Sequence, residues 1–170
     1  LAAHGARASF FMVGANVARH PALARRVLAE GHALGNHTQH HVSGWSASPA
    51  RYLAEVAAAD GAFRAAGLPA PGLFRPPYGR LQPLAARAIS REKTVVMWDV
   101  LAGDFDARQT AETCLANVLS HVEPGSIVVL HDSARCAPRL LPMLGALLGG
   151  LRAQGYGLLP LPCGFTPSYT

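Results

Sequence analysis

Short, largely apolar runs alternate with longer amphipathic runs along this chain, and this alternation restricts the fold more than any other feature. The runs ASFFMV at 8–13, TVVMWDV at 94–100 and SIVVL at 126–130 are typical of strands buried on both faces. The pattern predicts an α/β fold in which helices cover a parallel sheet, as a barrel or a doubly wound sheet. The other predicted strands are 33–36, 73–74 and 156–161, and the predicted helices are 16–30, 49–66, 81–91, 110–122 and 139–151.

The bulk composition suits one globular domain over residues 1–170, since 50% of the residues are hydrophobic and 15% are charged. The formal net charge of +5 comes from basic residues that are scattered singly, whereas nucleic-acid binders concentrate charge in a patch. We therefore expect no nucleic-acid partner. No apolar run is long enough to span a membrane. The three cysteines have no metal-type spacing and are expected to be packed thiols, with one disulfide as the alternative.

Four polar residues follow predicted strands at their carboxyl ends, namely His37, Arg75, Asp104 and His131. Active sites of barrels and of open α/β sheets are built at that end of the strands. The placement of these residues therefore favours an enzyme.

The first cluster is the sequence NHTQHH at 36–41. His37 and His41 are four residues apart, so on a helical turn their imidazoles would share one face and bind one metal ion. Thr38 would cap that turn or orient a ligand, and His40 would point away from the shared face. The alternative is a polar loop that carries surface histidines.

Three further segments carry candidate residues. Two prolines make the turn after Arg75 rigid, and this arginine could hold a carboxylate; the alternative is a structural loop with a solvated arginine. The segment 98–106 holds three acids, of which one would orient a catalytic histidine if the acids are not simply solvated. His131 ends an apolar strand, where a packed histidine is the common case. Pairing with Asp104 would stabilise its imidazolium form and suit it to donate a proton.

Taken in order, GNHTQHH, FRPPYG, WDVLAGDFD and VVLHD resemble the motifs of the polysaccharide deacetylases, carbohydrate esterase family 4, also called the NodB-homology domain. The resemblance runs from residue 1 to residue 161. It implies a distorted (β/α) barrel and the metal-dependent removal of acetyl groups from N-acetylated, sometimes O-acetylated, glycans. It also implies an extracytoplasmic or cell-envelope location, whereas neither the particular glycan nor the oligomeric state follows from it.

The resemblance also implies roles for individual residues, position by position. His37 and His41 resemble the two histidines that bind a divalent metal, for which zinc is expected and cobalt is the alternative. Arg75 resembles the arginine that holds the carboxylate of the catalytic base. His131 resembles the general acid, and Asp104 resembles the aspartate that tunes this acid. The expected substrate-binding residues are Tyr78, Leu130, Pro77 and Trp98. Tyr78 would bind the oxyanion through its backbone N–H, and Leu130 would contact the acetyl methyl group. Trp98 and Trp45 are candidates for stacking on sugar rings, with packing in the core or the groove wall as the alternative.

The sequence departs from the family pattern chiefly at its start. The family opens with a strand that ends in an Asp-Asp motif, which supplies the catalytic base and the third metal ligand, but no aspartate precedes Asp60 here. We therefore expect a domain that is incomplete at its N-terminus and lacks the first barrel strand and full activity. Smaller departures are Val42, Leu101 and Phe105. The alternative function is a non-catalytic glycan-binding module.

Overall fold

The computed structural model describes residues 1–162, which form two compact units. The four-stranded unit consists of Arg7–Met97 with residues 159–162, and the two-stranded unit consists of Leu1–Ala6 with Trp98–Leu158. Each unit has its own parallel sheet and its own apolar core.

The four-stranded unit contains the strands β1 (Ser9–Met12), β2 (Ala33–Asn36), β3 (Leu73–Phe74) and β4 (Thr94–Val95), all parallel and in that spatial order. The register places Met12 beside Asn36 and Asn36 beside Phe74. The chain therefore leaves these strands at one edge of the sheet, where the Arg75 N–H donates to the Asn36 carbonyl at 3.1 Å.

Helices connect these strands and cover the sheet. Ser48 caps the longest of them, because its hydroxyl oxygen accepts a hydrogen bond from the Arg51 N–H at 3.3 Å and Pro49 occupies the first helical position. Their buried faces meet the strands around Phe63 and Phe74, which are fully buried. The helices are α1 (Gly14–Arg19), α2 (Pro21–Ala29), α3 (Pro49–Ala65) and α4 (Pro83–Ile89).

The two-stranded unit pairs β5 (Val100–Leu101) with β6 (Val128–Val129) in parallel. Helices α5 (Ala111–His121) and α6 (Ala137–Ala153) pack on each other, and a short 3₁₀ turn covers Ala2–His4. Thr110 caps α5 by accepting a hydrogen bond from the Thr113 N–H at 3.2 Å. The apolar core of this unit includes the buried side chains of Val100, Cys114, Val118, Leu140, Met143 and Leu147.

Two predicted elements are each divided in the structure. The predicted helix over 16–30 breaks at His20, whose backbone angles (φ −131°, ψ 57°) are not helical, because Pro21 lacks an N–H and crowds the residue before it. The predicted strand over 94–100 separates into β4 and β5, which belong to different sheets. Between them the carbonyls of Val96 and Met97 accept hydrogen bonds from the Arg75 guanidinium.

The predicted strand over 156–161 is wrong, since these residues form no strand in the structure. The Tyr156 ring packs against the core of the two-stranded unit, and its hydroxyl donates to the Val122 carbonyl at 3.1 Å. The Leu161 N–H donates to the Ser9 hydroxyl oxygen at 2.8 Å rather than to a neighbouring strand backbone. The Tyr156 N–H donates to the Leu151 carbonyl at the end of α6, so isolated hydrogen bonds, and not a strand ladder, hold this segment.

Two of the three cysteines lie within the described part of the chain. Cys114 and Cys136 are free, buried thiols, and burial raises the pKa of the Cys114 thiol. Cys163 lies outside the described residues. Across residues 1–162, no helix is both long and apolar enough to cross a membrane.

Candidate active site

The loop after β2 brings His37 and His41 together. Their ring centroids lie 4.9 Å apart with an interplanar angle of 68°. His37 Nδ1 lies 2.6 Å from the Arg75 carbonyl oxygen, because β2 and β3 are neighbours and both residues follow their strands directly. A carbonyl oxygen only accepts, so His37 Nδ1 carries the hydrogen of this bond.

The predicted helical turn between these histidines is wrong. Thr38 and His41 have positive φ angles of 63° and 58°, so the chain bends through two left-handed residues. Side chains replace the helical hydrogen bonds, since Asn36 Oδ1 accepts from the Thr38 N–H at 2.9 Å and Thr38 Oγ1 accepts from the Val42 N–H at 3.2 Å. A β-branched residue at positive φ is strained by about 1–3 kcal/mol, and such strain is common at functional sites.

The two histidines fit a metal ion as a pair of imidazole ligands. The hydrogen bond at His37 Nδ1 fixes the orientation of the ring, as a hydrogen bond to the second nitrogen of a metal-binding histidine usually does. Within residues 1–162, however, no group of three His, Cys, Asp or Glu side chains is placed to hold a metal ion. The neighbouring His40 pairs instead with Glu55, at 3.0 Å between Nδ1 and Oε1.

Arg75 is buried beneath this loop in the four-stranded unit. Its Nε and Nη2 donate to the carbonyls of Val96 and Met97 at 3.3 and 3.2 Å, and its guanidinium carbon lies 4.2 Å from the centre of the Phe11 ring. Burial lowers the pKa of Arg75 to about 10. The structure thus places Arg75 in the site, where its backbone carbonyl accepts a hydrogen bond from His37. The predicted contact of the Arg75 side chain with a carboxylate stays a prediction.

The prolines after Arg75 lead into a 3₁₀ turn over Pro77–Gly79. Pro77 is buried, and Tyr78 adopts a positive φ of 60° with its side chain 62% exposed. The Tyr78 ring meets the His41 ring edge to face, at 4.7 Å between centroids. The structure therefore places His37, His41, Arg75, Pro77 and Tyr78 in one cluster of the four-stranded unit.

Asp104 and His131 meet in the two-stranded unit, where they follow the paired strands β5 and β6. The Asp104 side chain is fully buried, and its two oxygens accept from His131 Nδ1 at 2.8 Å and from the His131 backbone N–H at 2.6 Å. The His131 side chain is 40% exposed. Because an ionised carboxylate only accepts, the His131 proton at Nδ1 is fixed and Nε2 is the nitrogen left for proton transfer.

Nearby residues support this pair. Arg139 Nε donates to the Asp104 carbonyl at 2.6 Å, and the Phe105 ring lies 5.5 Å from the His131 ring. Leu130 is half-buried at the edge of the apolar core of this unit, and Trp98 is also half-buried. Their predicted substrate contacts stay predictions.

Sequence reasoning missed a buried polar network behind the His37 loop. Asn36 Nδ2 donates to Asp60 Oδ1 at 2.8 Å, and Lys93 Nζ lies 2.8 Å from Asp60 Oδ2. Lys93 also donates to the Pro71 carbonyl at 2.8 Å. One compositional cue was available, because Lys93 is the only lysine in the chain.

Comparison with known proteins shows which proteins this chain is similar to. The family model described as "Polysaccharide deacetylase" matches residues 1–96. The chain is 34% identical to a chitooligosaccharide deacetylase of Bradyrhizobium sp. (strain ANU 289), in a match that spans 95% of this chain and 80% of that protein.

The chain belongs to the polysaccharide deacetylase family.

Solved structures of this family agree with the fold. The Bc1960 peptidoglycan N-acetylglucosamine deacetylase superposes with a TM-score of 0.87 at 28% identity, over 95% of this chain and 76% of that one. A pseudoenzyme of carbohydrate esterase family 4 from Bacillus anthracis gives a TM-score of 0.83 at 23% identity, over 95% of this chain and 56% of that one, which concerns the fold alone. The predicted family, the α/β fold class of the distorted barrel type and the deacetylase class of enzyme are thereby confirmed.

Proposed function

We propose that this member of the polysaccharide deacetylase family hydrolyses acetyl groups on an N-acetylated polysaccharide, with an O-acetylated polysaccharide as the alternative substrate. The bond broken is a carbon–nitrogen bond that is not a peptide bond. The observation that carries the proposal is the contact of His131 Nδ1 with the buried Asp104 carboxylate at 2.8 Å. An amide nitrogen leaves only when it is protonated, so the reaction needs an oriented proton donor of this kind.

The residues divide the proposed reaction between them. Water adds its oxygen to the acetyl carbon, the carbon–nitrogen bond breaks, and acetate and a free amine are released. His131 donates the proton at Nε2 to the departing nitrogen, and Asp104 stabilises the imidazolium form before that transfer. The backbone N–H of Tyr78 stabilises the acetyl oxygen as it gains negative charge, and Leu130 contacts the acetyl methyl group.

His37 and His41 are the proposed ligands of a divalent ion, either zinc or cobalt. Their adjacent rings and the hydrogen bond that fixes His37 support this assignment. When bound, the ion would supply a Lewis acid that polarises the acetyl carbonyl and lowers the pKa of a water molecule. Catalytic zinc usually has three protein ligands. By resemblance to the family, one carboxylate of an Asp-Asp motif would be the third ligand, and the other would remove the proton from water, with Arg75 beside that base.

The proposed substrates follow from the relatives. One of them is a chitooligosaccharide deacetylase and another is a peptidoglycan N-acetylglucosamine deacetylase. We therefore take acetylated amino-sugar polymers as the substrate class, and the cell envelope as the place where such polymers are met.

Acetate release tests this function. The full product of the gene that encodes this chain is incubated with zinc and with N-acetylated chitooligosaccharides, peptidoglycan or acetylxylan. We expect acetate from at least one of the amino-sugar polymers, and a rate about 10²–10⁴-fold lower for His131→Ala. Acetate release that is unchanged in His131→Ala would overturn the assignment of the acid, and no release from any substrate would overturn the function.

A non-catalytic glycan-binding module is the second candidate. The observation behind it is that, within residues 1–162, no group of three His, Cys, Asp or Glu side chains is placed to hold a metal ion. Glycan binding that is unaffected by a chelator, with no turnover by the full gene product, would support this candidate over the first.

A further inference from the structure

An exposed stack of three side chains lies next to His41 in the four-stranded unit. The guanidinium carbon of Arg80 lies 4.9 Å from the centre of the Trp45 ring and 5.9 Å from the centre of the Tyr78 ring. Trp45 and Tyr78 are 66% and 62% exposed, although large aromatic side chains are usually buried. The Tyr78 ring in turn contacts the His41 ring at 4.7 Å. The stack therefore begins beside a proposed metal ligand and extends outward over the surface.

The backbone holds this stack in place. The Gly44 N–H donates to the Arg80 carbonyl at 3.2 Å, and a Cβ atom at Gly44 would overlap that carbonyl oxygen. Gln82 Nε2 also donates to the Ala47 carbonyl at 3.1 Å, which ties the two loops together a second time. Trp45 and Tyr78 are thus presented by loops fixed against each other, so little conformational entropy would be lost when a ligand binds there.

The chemistry of the stack indicates its ligand. Exposed aromatic faces bind the apolar faces of sugar rings, which combine large contact area with polar edges. The guanidinium carbon of Arg80 lies near both ring centres, and the five N–H groups of a guanidinium form a planar fork that matches a carboxylate. Within residues 1–162, Arg80 forms no ion pair with a carboxylate and no side-chain hydrogen bond, so these donors remain available for a carboxylate on the ligand.

We propose that Trp45, Tyr78 and Arg80 form a glycan subsite that binds the sugar next to the one being deacetylated and favours a sugar that carries a carboxylate. Trp45 supplies the stacking face, and Arg80 supplies the paired N–H donors. The substrate class is then a glycan in which N-acetylglucosamine alternates with a carboxylate-bearing amino sugar such as N-acetylmuramic acid, rather than a neutral chitin chain. This inference rests on the proposed function for the identity of the neighbouring reaction site.

Calorimetric binding to the chain tests the subsite without any need for turnover. The two probes are chitotetraose and a tetrasaccharide of alternating N-acetylglucosamine and N-acetylmuramic acid. We expect tighter binding of the second probe. Trp45→Ala should weaken both probes about tenfold or more, because the stacking face is lost. Arg80→Gln should weaken only the carboxylate-bearing probe, by about tenfold, and Arg80→Lys should restore part of that loss.

Leu84→Ala is the matched control, because Leu84 is 73% exposed on α4 and belongs to no site described above. It should bind both probes as the original chain does. Equal binding of the two probes, equal effects of Arg80→Gln on both, or no binding at all would overturn the subsite. If acetate release succeeds while these results fail, the function stands and the subsite falls. If binding depends on Trp45 and Arg80 but no acetate is released, the subsite stands and the proposed function falls.

Discussion

Asp104 acts on the proposed chemistry through the atoms it holds in place. Its two carboxylate oxygens accept from the ring and from the backbone of the same residue, His131, which fixes both the position and the tautomer of the imidazole. Arg139 secures the Asp104 backbone from the other side. A single buried residue thus determines how the proposed proton donor is presented.

Replacing Asp104 with Asn tests this arrangement. An amide has one oxygen, so it can accept only one of the two hydrogen bonds from His131. We expect the rate of acetate release by the full gene product to fall about 10²-fold or more, measured as kcat/KM. Asp132→Asn, an exposed neighbour of His131, is the control and should keep the original rate. Equal rates for Asp104→Asn and the original protein would contradict the role of Asp104.

Asp106, in the same loop as Asp104, makes a contribution to the stability of the fold that depends on pH. Arg108 donates to both carboxylate oxygens of Asp106, and these hydrogen bonds lower the pKa of Asp106 to about 2 from its ordinary 3.8. A lowered carboxyl pKa stabilises the fold above the ordinary value, and this contribution is lost as the pH falls through about 2. The effect is small because the Arg108 side chain is exposed.

The Asp106→Asn variant measures this contribution. We expect it to be slightly less stable than the original chain at pH 6, with most of this difference in the free energy of unfolding lost by pH 2. Urea unfolding of both chains between pH 2 and pH 6 gives the difference in the free energy of unfolding. A difference that stays constant over this range would show that the Asp106 charge is not involved.

At the scale of elements, the ends of the strands were predictable and the loops after them were not. Apolar runs predicted strands before His37, Arg75 and His131, because strands buried on both faces leave a simple pattern. The conformation of the His37 loop depends on Asn36 and Thr38, whose side chains form the hydrogen bonds that a helix would form through its backbone. Hydrophobic spacing contains no information about such bonds. Pro21 marks the break in the first predicted helix in the sequence itself, whereas the break between β4 and β5 has no such marker, because apolar residues run from β4 up to Asp99.

The ion pair of Lys93 with Asp60 fixes α3 against the end of β2 through Asn36. Lys93→Met would leave the Asp60 carboxylate buried without its cation. We expect the free energy of unfolding to fall by about 3–5 kcal/mol, as for other buried pairs that lose one partner. Arg91→Met, which removes an exposed cation two residues away, should change it by less than about 0.5 kcal/mol. Similar losses in the two variants, measured by urea unfolding, would contradict a special role for this pair.

The packing of α1 on α3 depends on a glycine at their crossing. A Cβ atom at Gly14 would lie 2.7 Å from the Ala59 Cα and would overlap the side-chain oxygen of Gln39. Gly14→Ala should therefore lower the free energy of unfolding by about 1–3 kcal/mol. Gly61→Ala is the matched control on α3, where a Cβ meets nothing within 4 Å, and it should raise stability by up to about 1 kcal/mol through helix propensity. Changes of the same sign in both variants would refute close packing at Gly14.

At the scale of the whole molecule, four short motifs predicted the family and its fold, although each of them is weak alone. Their order along the chain identified the family, and the comparisons confirmed it. The individual roles of His37, His41, Arg75 and His131 remain proposals, because a family fold is shared by enzymes and by a pseudoenzyme alike. The proposed chemistry includes a divalent ion bound by His37 and His41, and this part of the proposal can be tested directly.

Metal dependence of acetate release is the most direct test of the central claim. The full gene product is measured on an N-acetylated amino-sugar polymer when loaded with zinc, after treatment with a chelator, and after zinc or cobalt is restored. Our proposal predicts release with zinc, loss of release on chelation and recovery on restoration, with no recovery in His37→Gln or His41→Gln. Release that persists at the same rate after chelation, or in both histidine variants, would contradict it.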